Sequence, residues 1–153
     1  MSIKNFKKED IHLHSQVIVR ELALKDCPRG GVMIKGTGID ITEVERIKKN
    51  MGNIRFLEKL YSNRELEYLK TRKFNPQTAA GMFAAKEAVA KSLGTGFSNF
   101  GPCHIEILKD ENDKPYVVLL NNALKRAEEL NIKNIYISIS HTEEFAVAHC
   151  VAE

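Results

Sequence analysis

Apolar residues recur along the chain at two spacings, and these predict both strands and helices. Alternation of apolar and polar residues is typical of half-buried strands, whereas an apolar residue at every third or fourth position predicts a helix. The predicted strands cover residues 32–41, 104–109, 115–120, 134–140 and 145–151, and the predicted helices cover residues 43–51, 56–73 in segments, 76–93 and 123–130. This order indicates an α+β fold in which an antiparallel sheet packs against a long central helix.

The central helix, residues 76–93, has clear signals at both ends. Asn75 is a suitable N-cap, and Pro76 suits the first helical position because its missing N–H is not needed there. Gly94 is typical of the residue that ends a helix. The apolar arc that is expected to face a core contains Met82, Val89 and Leu93.

A second face of this helix carries Glu87 and Lys91 beside the small residues Ala80 and Ala84. One interpretation is an ordinary ion pair, which would add only about 0.2–0.5 kcal/mol to an exposed helix. The other is a carboxylate and an ammonium group over a shallow floor that something can approach closely. The Gly94-Thr95-Gly96 stretch that follows predicts either a C-cap and loop or free backbone N–H groups that face a phosphate.

Asp40 lies at a predicted junction between a strand and a helix. The strand contains Gly36 and Gly38, which leave one face of its end nearly bare. The following Thr42-Glu43-Val44-Glu45 stretch predicts a capping box that opens a helix. Acidic side chains at such junctions often serve only as caps or turn formers. Asp40 is therefore either a cap or a functional carboxylate.

A second polar junction ends the strand over residues 134–140. This strand delivers Ser140 and His141 to the turn before the last strand. His141 either caps this turn or, because it is expected to be partly exposed, is available for chemistry. His149 falls within an apolar strand face and is expected to pack or bond locally.

Size and composition favour one globular domain. The chain has 153 residues, of which 43% are hydrophobic and 28% are charged. No run approaches the roughly 18 apolar residues that a membrane span needs, and the N-terminus lacks an apolar signal core, so a cytoplasmic protein is expected. Three widely spaced cysteines suggest neither disulfides nor a zinc site. The net charge of +3 permits acidic partners without demanding nucleic acid.

Three separate motifs fit one family pattern. They are Gly36-Thr37-Gly38-Ile39-Asp40-Ile41, then Phe83-Ala84-Ala85-Lys86-Glu87-Ala88 with Lys91 and Gly94-Thr95-Gly96, and finally Ser138-Ile139-Ser140-His141 with Phe145-Ala146-Val147-Ala148. Together they closely resemble the holo-acyl-carrier-protein synthase family, the small 4′-phosphopantetheinyl transferases. The resemblance covers residues 33–153. Residues 1–32, a predicted helix over residues 10–25 and a linker, form an N-terminal extension outside it, either a start-site artefact or an addition to the domain.

The resemblance implies a fold, a reaction and a set of site residues. The reaction moves the 4′-phosphopantetheine arm of coenzyme A to a serine of apo acyl carrier protein, releases adenosine 3′,5′-bisphosphate, needs Mg²⁺ and belongs to fatty acid biosynthesis. Family members form homotrimers with active sites between subunits. The implied Mg²⁺ ligands are Asp40 and Glu87, and the implied catalytic residues are Glu87, Lys91 and His141. The implied coenzyme A contacts are Lys86, Lys91, Gly94, Thr95, Gly96, Ser140 and His141.

These residue types suit that chemistry. A pyrophosphate carries charges that repel an attacking hydroxyl, so catalysis depends on positioning and neutralisation. Magnesium accepts one or two carboxylates together with substrate phosphates, which Asp40 and Glu87 could provide. Lys91 can reach the same phosphate oxygens as a point charge. We hypothesise that Glu87, or a water that it orients, accepts the serine proton. Whether His141 contacts phosphate as a cation or as an N–H donor stays open.

The helix after Asp40 carries a basic face. Arg46, Lys48 and Lys49 lie largely outside its apolar side, and Arg55 follows. A solvated face is one interpretation. The other is a docking surface for an acidic acyl carrier protein, with a strong salt dependence. Arg46 best matches the family's carrier-docking arginine, and Lys49 and Arg55 are predicted to extend the same surface.

Two other functions compete with this one. A metal-dependent phosphohydrolase that acts on a nucleotide-like pyrophosphate would use the same pair of carboxylates. A basic nucleic-acid-binding module is disfavoured because the chain lacks aromatic platforms and long basic runs. Neither nucleic acid nor a membrane is therefore expected as a partner.

Overall fold

Five strands and five helices make up residues 33–153, the part of the chain that this computed structural model describes. The helix predicted over residues 10–25 lies outside it. The strands are β1 (Gly36–Glu43), β2 (Ile105–Lys109), β3 (Pro115–Leu119), β4 (Ile135–His141) and β5 (Phe145–Ala152). The helices are α1 (Val44–Lys48), α2 (Ile54–Leu60), α3 (Asn63–Thr71), α4 (Pro76–Ser92) and α5 (Asn121–Glu129), and a 3₁₀ turn covers Pro102–His104.

The strands form two antiparallel sheets. The larger sheet has the order β1-β5-β4, and β2 pairs with β3 in a separate hairpin. Helix α4 contacts all three strands of the larger sheet. The predicted α+β architecture, an antiparallel sheet against a long central helix, is therefore confirmed.

Helix α4 has the predicted ends. The Asn75 side chain accepts a hydrogen bond from the Thr78 N–H at 2.9 Å, Pro76 opens the helix, and Gly94 beyond its end has a φ of +78°. The helix is buried on nearly every side, because small residues let its neighbours approach. The predicted shallow floor over Ala80 and Ala84 is wrong, since both are fully buried.

Strand β1 touches the backbone of α4 through its two glycines. A Cβ atom on Gly38 would lie 1.9 Å from the carbonyl oxygen of Ala88, and one on Gly36 would lie 2.0 Å from that of Ser92. Real Cβ atoms do not approach backbone atoms so closely, so no other residue fits at either position without moving the helix. The bare strand face that the sequence predicted is occupied by α4.

The larger sheet has one buried face and one exposed face. Ala146, Ala148 and Cys150 of β5 are fully buried toward α4. His149, which was expected to pack or bond locally in an apolar strand face, lies on the opposite face and is exposed. The opposite face carries large apolar side chains in contact with solvent. Its most exposed apolar members are Ile39 and Ile41, each 63% exposed, together with Tyr136 and Phe145.

Strand β1 runs further than predicted. It pairs with β5 as far as Glu43, so Thr42 is a strand residue opposite Ala146. The N-cap of α1 is Glu43, whose side chain makes no capping bond. The capping box predicted for Thr42-Glu43-Val44-Glu45 is therefore wrong, because pairing with β5 holds Thr42 in extended backbone and turns its side chain toward α4.

Candidate functional site

Asp40, Glu87 and Lys91 come together where β1 crosses α4. Asp40 points from the buried face of β1, and its side chain is 15% exposed. The Lys91 ammonium lies 2.8 Å from Asp40 Oδ1 and donates to the Ile39 carbonyl at 2.9 Å. Glu87 lies one turn before Lys91 on α4, within electrostatic reach of Asp40. The structure thus joins two carboxylates that are distant in sequence.

The two carboxylates repel each other. Burial, together with the negative charge of Asp40, raises the pKa of Glu87, and the positive charges of Lys91 and Arg46 oppose this rise. Burial and the neighbouring Asp40 therefore both disfavour the charged form of Glu87. A bound cation would relieve this repulsion.

The donor set fits Mg²⁺. Hard cations of this kind take oxygen ligands, and magnesium commonly uses one or two carboxylates while substrate phosphates and water supply the rest. Asp40 and Glu87 offer two carboxylates of this kind. Within residues 33–153 no group of three or more histidine, cysteine, aspartate or glutamate side chains is arranged to hold a metal ion.

Lys86 does not reach this site. Its side chain is fully buried, and its ammonium lies 2.7 Å from the equally buried Glu65 carboxylate. It also donates to the carbonyl oxygens of Pro102 and Ile105. The coenzyme A contact predicted for Lys86 is therefore wrong, because its three donors are used inside the core.

The stretch after α4 is a helix cap. The Gly94 N–H donates to the Lys91 carbonyl at 3.0 Å, and the Gly96 N–H donates to the Ala90 carbonyl at 3.1 Å. Neither N–H is free to face a phosphate, so the C-cap interpretation is the one that the structure supports. Thr95 is half-buried and lines a cavity of about 140 Å³ that also contains Lys125 and Arg126.

Ser140 and His141 line a different part of the protein surface. Both are exposed at the end of β4, and His141 lines a cavity of about 750 Å³. The walls of that cavity also contain Arg72 and Lys109, but not Asp40, Glu87 or Lys91. Lys91 instead borders a depression of about 460 Å³ whose walls include Ile39 and His149. Neither of these two cavities therefore contains both His141 and the carboxylates.

Three residues near these sites were not predicted from the sequence as parts of a site. The Thr42 hydroxyl donates to Asp40 Oδ2 at 2.9 Å. Thr42 follows Asp40 by two residues, a spacing that places both on one face of a strand, so the signal was present but was interpreted as a helix cap. Arg72 and Lys109 reach the His141 cavity from separate elements, and no local pattern marks them.

The predicted basic surface is solvent-exposed. Arg46 and Lys49 lie at α1 and Arg55 lies on α2, and all three are exposed. Arg46 is close enough to Glu87 to lower its pKa. Of the basic surface, defined as Arg46, Lys49 and Arg55, it is therefore Arg46 that adjoins the carboxylates.

Comparison with known sequences identifies close relatives. The model of the 4′-phosphopantetheinyl transferase superfamily matches residues 36–150. A holo-[acyl-carrier-protein] synthase of Clostridium botulinum is 49% identical over 122 residues, which cover 79% of this chain and 98% of that protein. One from Alkaliphilus metalliredigens is 51% identical over 121 residues, with coverage of 78% and 99%.

Solved structures agree with the sequence comparison. The acyl carrier protein synthase of Plasmodium yoelii with ADP bound has a TM-score of 0.72 and 36% identity, covering 80% of this chain and 97% of its own. The holo-[acyl-carrier-protein] synthase of Helicobacter pylori in complex with coenzyme A has a TM-score of 0.67 and 32% identity, with coverage of 76% and 99%. By sequence and by fold, this chain belongs to the 4′-phosphopantetheinyl transferase superfamily, among its holo-acyl-carrier-protein synthases.

Proposed function

We propose that this protein transfers the 4′-phosphopantetheine group of coenzyme A to a serine of apo acyl carrier protein and releases adenosine 3′,5′-bisphosphate. The observation that carries this proposal is the meeting of Asp40, Glu87 and Lys91 at the crossing of β1 and α4. Relatives about half identical along nearly their whole length are named for this activity. The phosphohydrolase alternative has no support among them.

The chain's own residues supply binding and proton transfer. The serine hydroxyl must lose its proton as it attacks the phosphate, and Glu87 is the proposed acceptor, either directly or through a water. The raised pKa of Glu87 suits this role, because a general base works best when its pKa approaches the working pH. The Lys91 side chain is 47% exposed, so its ammonium can turn from Asp40 to a phosphate oxygen.

Asp40 and Glu87 are the residues that would hold Mg²⁺. When bound, the ion would act as a Lewis acid toward the phosphoryl group and offset its charge. Asp40 is suited to this because it is largely shielded from solvent, yet keeps one oxygen directed at α4.

The active site is proposed to lie between the subunits of a homotrimer. Two observations support this. The cavity that His141 lines contains neither Asp40 nor Glu87, and the exposed sheet face carries large apolar residues such as Ile39, Ile41 and Phe145. Exposed apolar faces of this kind commonly mark interfaces. A neighbouring copy would cover the face and bring its own His141 to the carboxylates.

Replacing Ile41 with lysine tests this assembly. A charge on the exposed sheet face would be buried without a partner in the trimer, so we expect monomers and loss of most transferase activity. Sedimentation velocity measures the mass of the assembly. Leu124→Lys is the matched control, because Leu124 is 44% exposed on α5, away from the sheet, and its variant is expected to remain trimeric. A trimeric Ile41→Lys variant would contradict the proposed interface.

The basic surface of Arg46, Lys49 and Arg55 is proposed to dock the acidic carrier. Arg46→Glu is expected to raise the KM for acyl carrier protein by about tenfold or more, because it reverses a charge that attracts the partner. The KM for coenzyme A should change far less. Steady-state kinetics with each substrate varied in turn measures both values, and Lys133→Glu, at an exposed position between α5 and β4, provides a comparable charge change elsewhere. Equal effects on both substrates would count against docking at Arg46.

Mass spectrometry tests the reaction itself. Apo acyl carrier protein is incubated with the enzyme, coenzyme A and Mg²⁺, and the expected product carries one added phosphopantetheine group on one serine. Hydrolysis of coenzyme A with unmodified carrier protein would refute the proposal.

Fatty acid biosynthesis in the cytoplasm is the proposed setting. Among residues 33–153, no helix has the length and apolar character to cross a bilayer.

A further inference from the structure

The Asp40 carboxylate is held from two sides by partners of different mobility. On one side Lys91 lies 2.8 Å from Oδ1, and its side chain is 47% exposed. On the other side the Thr42 hydroxyl donates to Oδ2 at 2.9 Å, and Thr42 is only 3% exposed. The Lys91 side chain can move away through solvent, whereas the Thr42 side chain is buried and cannot.

We propose that Thr42 is a positioning residue that fixes the rotation of the Asp40 carboxylate for cation binding. The proposal rests on the proposed function, since it takes Asp40 as a ligand of the divalent ion. Its hydrogen bond occupies Oδ2 and leaves Oδ1 directed at α4, where Glu87 and Lys91 lie. Thr42 itself need not touch the ion or either substrate.

The backbone explains why Thr42 can do this. Residues two apart on a strand point to the same face, so the side chains of Asp40 and Thr42 lie side by side. The terminal torsion of an aspartate is soft, and without a partner its carboxylate rotates readily. The branched Cβ of threonine restricts its own rotamers, and burial restricts them further. A rigid donor therefore orients a flexible acceptor.

The residue opposite Thr42 does not compete for its hydroxyl group. Opposite it on β5 is Ala146, which is fully buried and has no polar side chain to compete. A hydrogen bond to an ionised acceptor is stronger than one between neutral groups, so donation to Asp40 is favoured. In proteins, loss of such a partner behind a metal ligand commonly weakens metal affinity or activity by about 10–100-fold.

The test compares Thr42→Val with Thr42→Ser. Valine keeps the shape of threonine but lacks the hydroxyl, and serine restores the hydroxyl in a smaller side chain. The first measurement is Mn²⁺ binding to the enzyme with coenzyme A and without carrier protein, followed by the electron paramagnetic resonance of free Mn²⁺ and corrected with coenzyme A alone. The second is the Mg²⁺ concentration that gives half-maximal transfer, alongside the KM for each substrate.

We expect Thr42→Val to weaken Mn²⁺ binding, and to raise the half-maximal Mg²⁺ concentration, by about 10–100-fold. The KM for carrier protein should change little, and Thr42→Ser should recover most of the loss. Ser92→Ala is the matched control: it removes another buried hydroxyl beneath the same sheet, one that donates to the Val89 carbonyl and not to Asp40. Its Mn²⁺ affinity should equal that of the unaltered enzyme.

Several outcomes would overturn the inference. They are unchanged Mn²⁺ affinity in Thr42→Val, failure of serine to restore it, an equal loss in Ser92→Ala, and an unaltered enzyme that does not bind Mn²⁺. A thermal melt of each variant shows whether a loss follows from unfolding, in which case the serine variant decides. Failure of the proposed function is seen separately, as absence of phosphopantetheine transfer by the unaltered enzyme.

Discussion

Replacing Glu87 with glutamine is expected to slow phosphopantetheine transfer by about 10²–10⁴-fold, the usual contribution of a general base. The amide keeps the shape of the side chain but can neither accept the serine proton nor offer a charged ligand. The rate is measured by mass spectrometry of carrier protein under single-turnover conditions. Glu67→Gln makes the same chemical change at an exposed position on α3 and should retain the full rate. Full activity in Glu87→Gln would refute the role of Glu87.

The same variant is expected to be more stable than the unaltered enzyme at neutral pH. Burial and the charge of Asp40 raise the pKa of Glu87, so the folded chain favours its protonated form. Ionisation of Glu87 therefore lowers stability as the pH rises from its ordinary value of 4.5 toward the raised value of the folded state. Glutamine does not ionise. The difference in Tm should be absent at lower pH, grow through this window and then remain constant.

Lys86→Met is expected to lower the free energy of unfolding by about 3–5 kcal/mol, because it leaves the buried Glu65 carboxylate without its counter-charge. Both side chains are fully buried and lie 2.7 Å apart. Burial lowers the pKa of Lys86 and raises that of Glu65, and each partner's charge opposes the other's shift. Since whole domains are stable by only about 5–15 kcal/mol, this loss is a large fraction of the total.

Urea denaturation followed by circular dichroism measures the change. Lys48→Met is the matched control, because Lys48 pairs with Glu45 at 3.2 Å while both side chains remain more than half exposed. Its loss should cost about 0–1 kcal/mol. Adding Glu65→Gln to Lys86→Met should recover part of the stability, since the amide removes the unpaired charge and still accepts a hydrogen bond from Ile107. A loss in Lys86→Met no larger than in the control would contradict the role of the buried pair.

Local signals in the sequence predicted what depends on local structure. Asn75, Pro76 and Gly94 mark the ends of α4 through backbone geometry that a few neighbouring residues decide. The alternation in β4 and β5 likewise divided each strand into two faces, because side chains on a strand alternate whatever lies beside them. Which face of β5 is buried depends on α4, and the apolar residues around His149 pointed to the wrong one. The family resemblance supplied the pairing of Asp40 with Glu87.

The errors have a common cause in contacts between distant parts of the chain. Lys86 sits beside Glu87 in the sequence, yet its partner Glu65 is 21 residues away and draws it into the core. The sequence around Thr42 matches a helix cap, but in the structure pairing with β5 extends the strand through Thr42. The cavity of His141 contains neither Asp40 nor Glu87, and the proposed trimer would account for this, because a neighbouring copy would supply its own His141.

The glycines of β1 limit how the spacing between Asp40 and Glu87 can change by mutation. With only hydrogen atoms between Gly38 and the Ala88 carbonyl, two main chains rest against each other. Asp40 is carried by one of these chains and Glu87 by the other. The spacing of the two acids is thus set by contact between the main chains of β1 and α4, and replacing one side chain cannot change it in small steps. We therefore expect changes in substrate range to arise outside this contact.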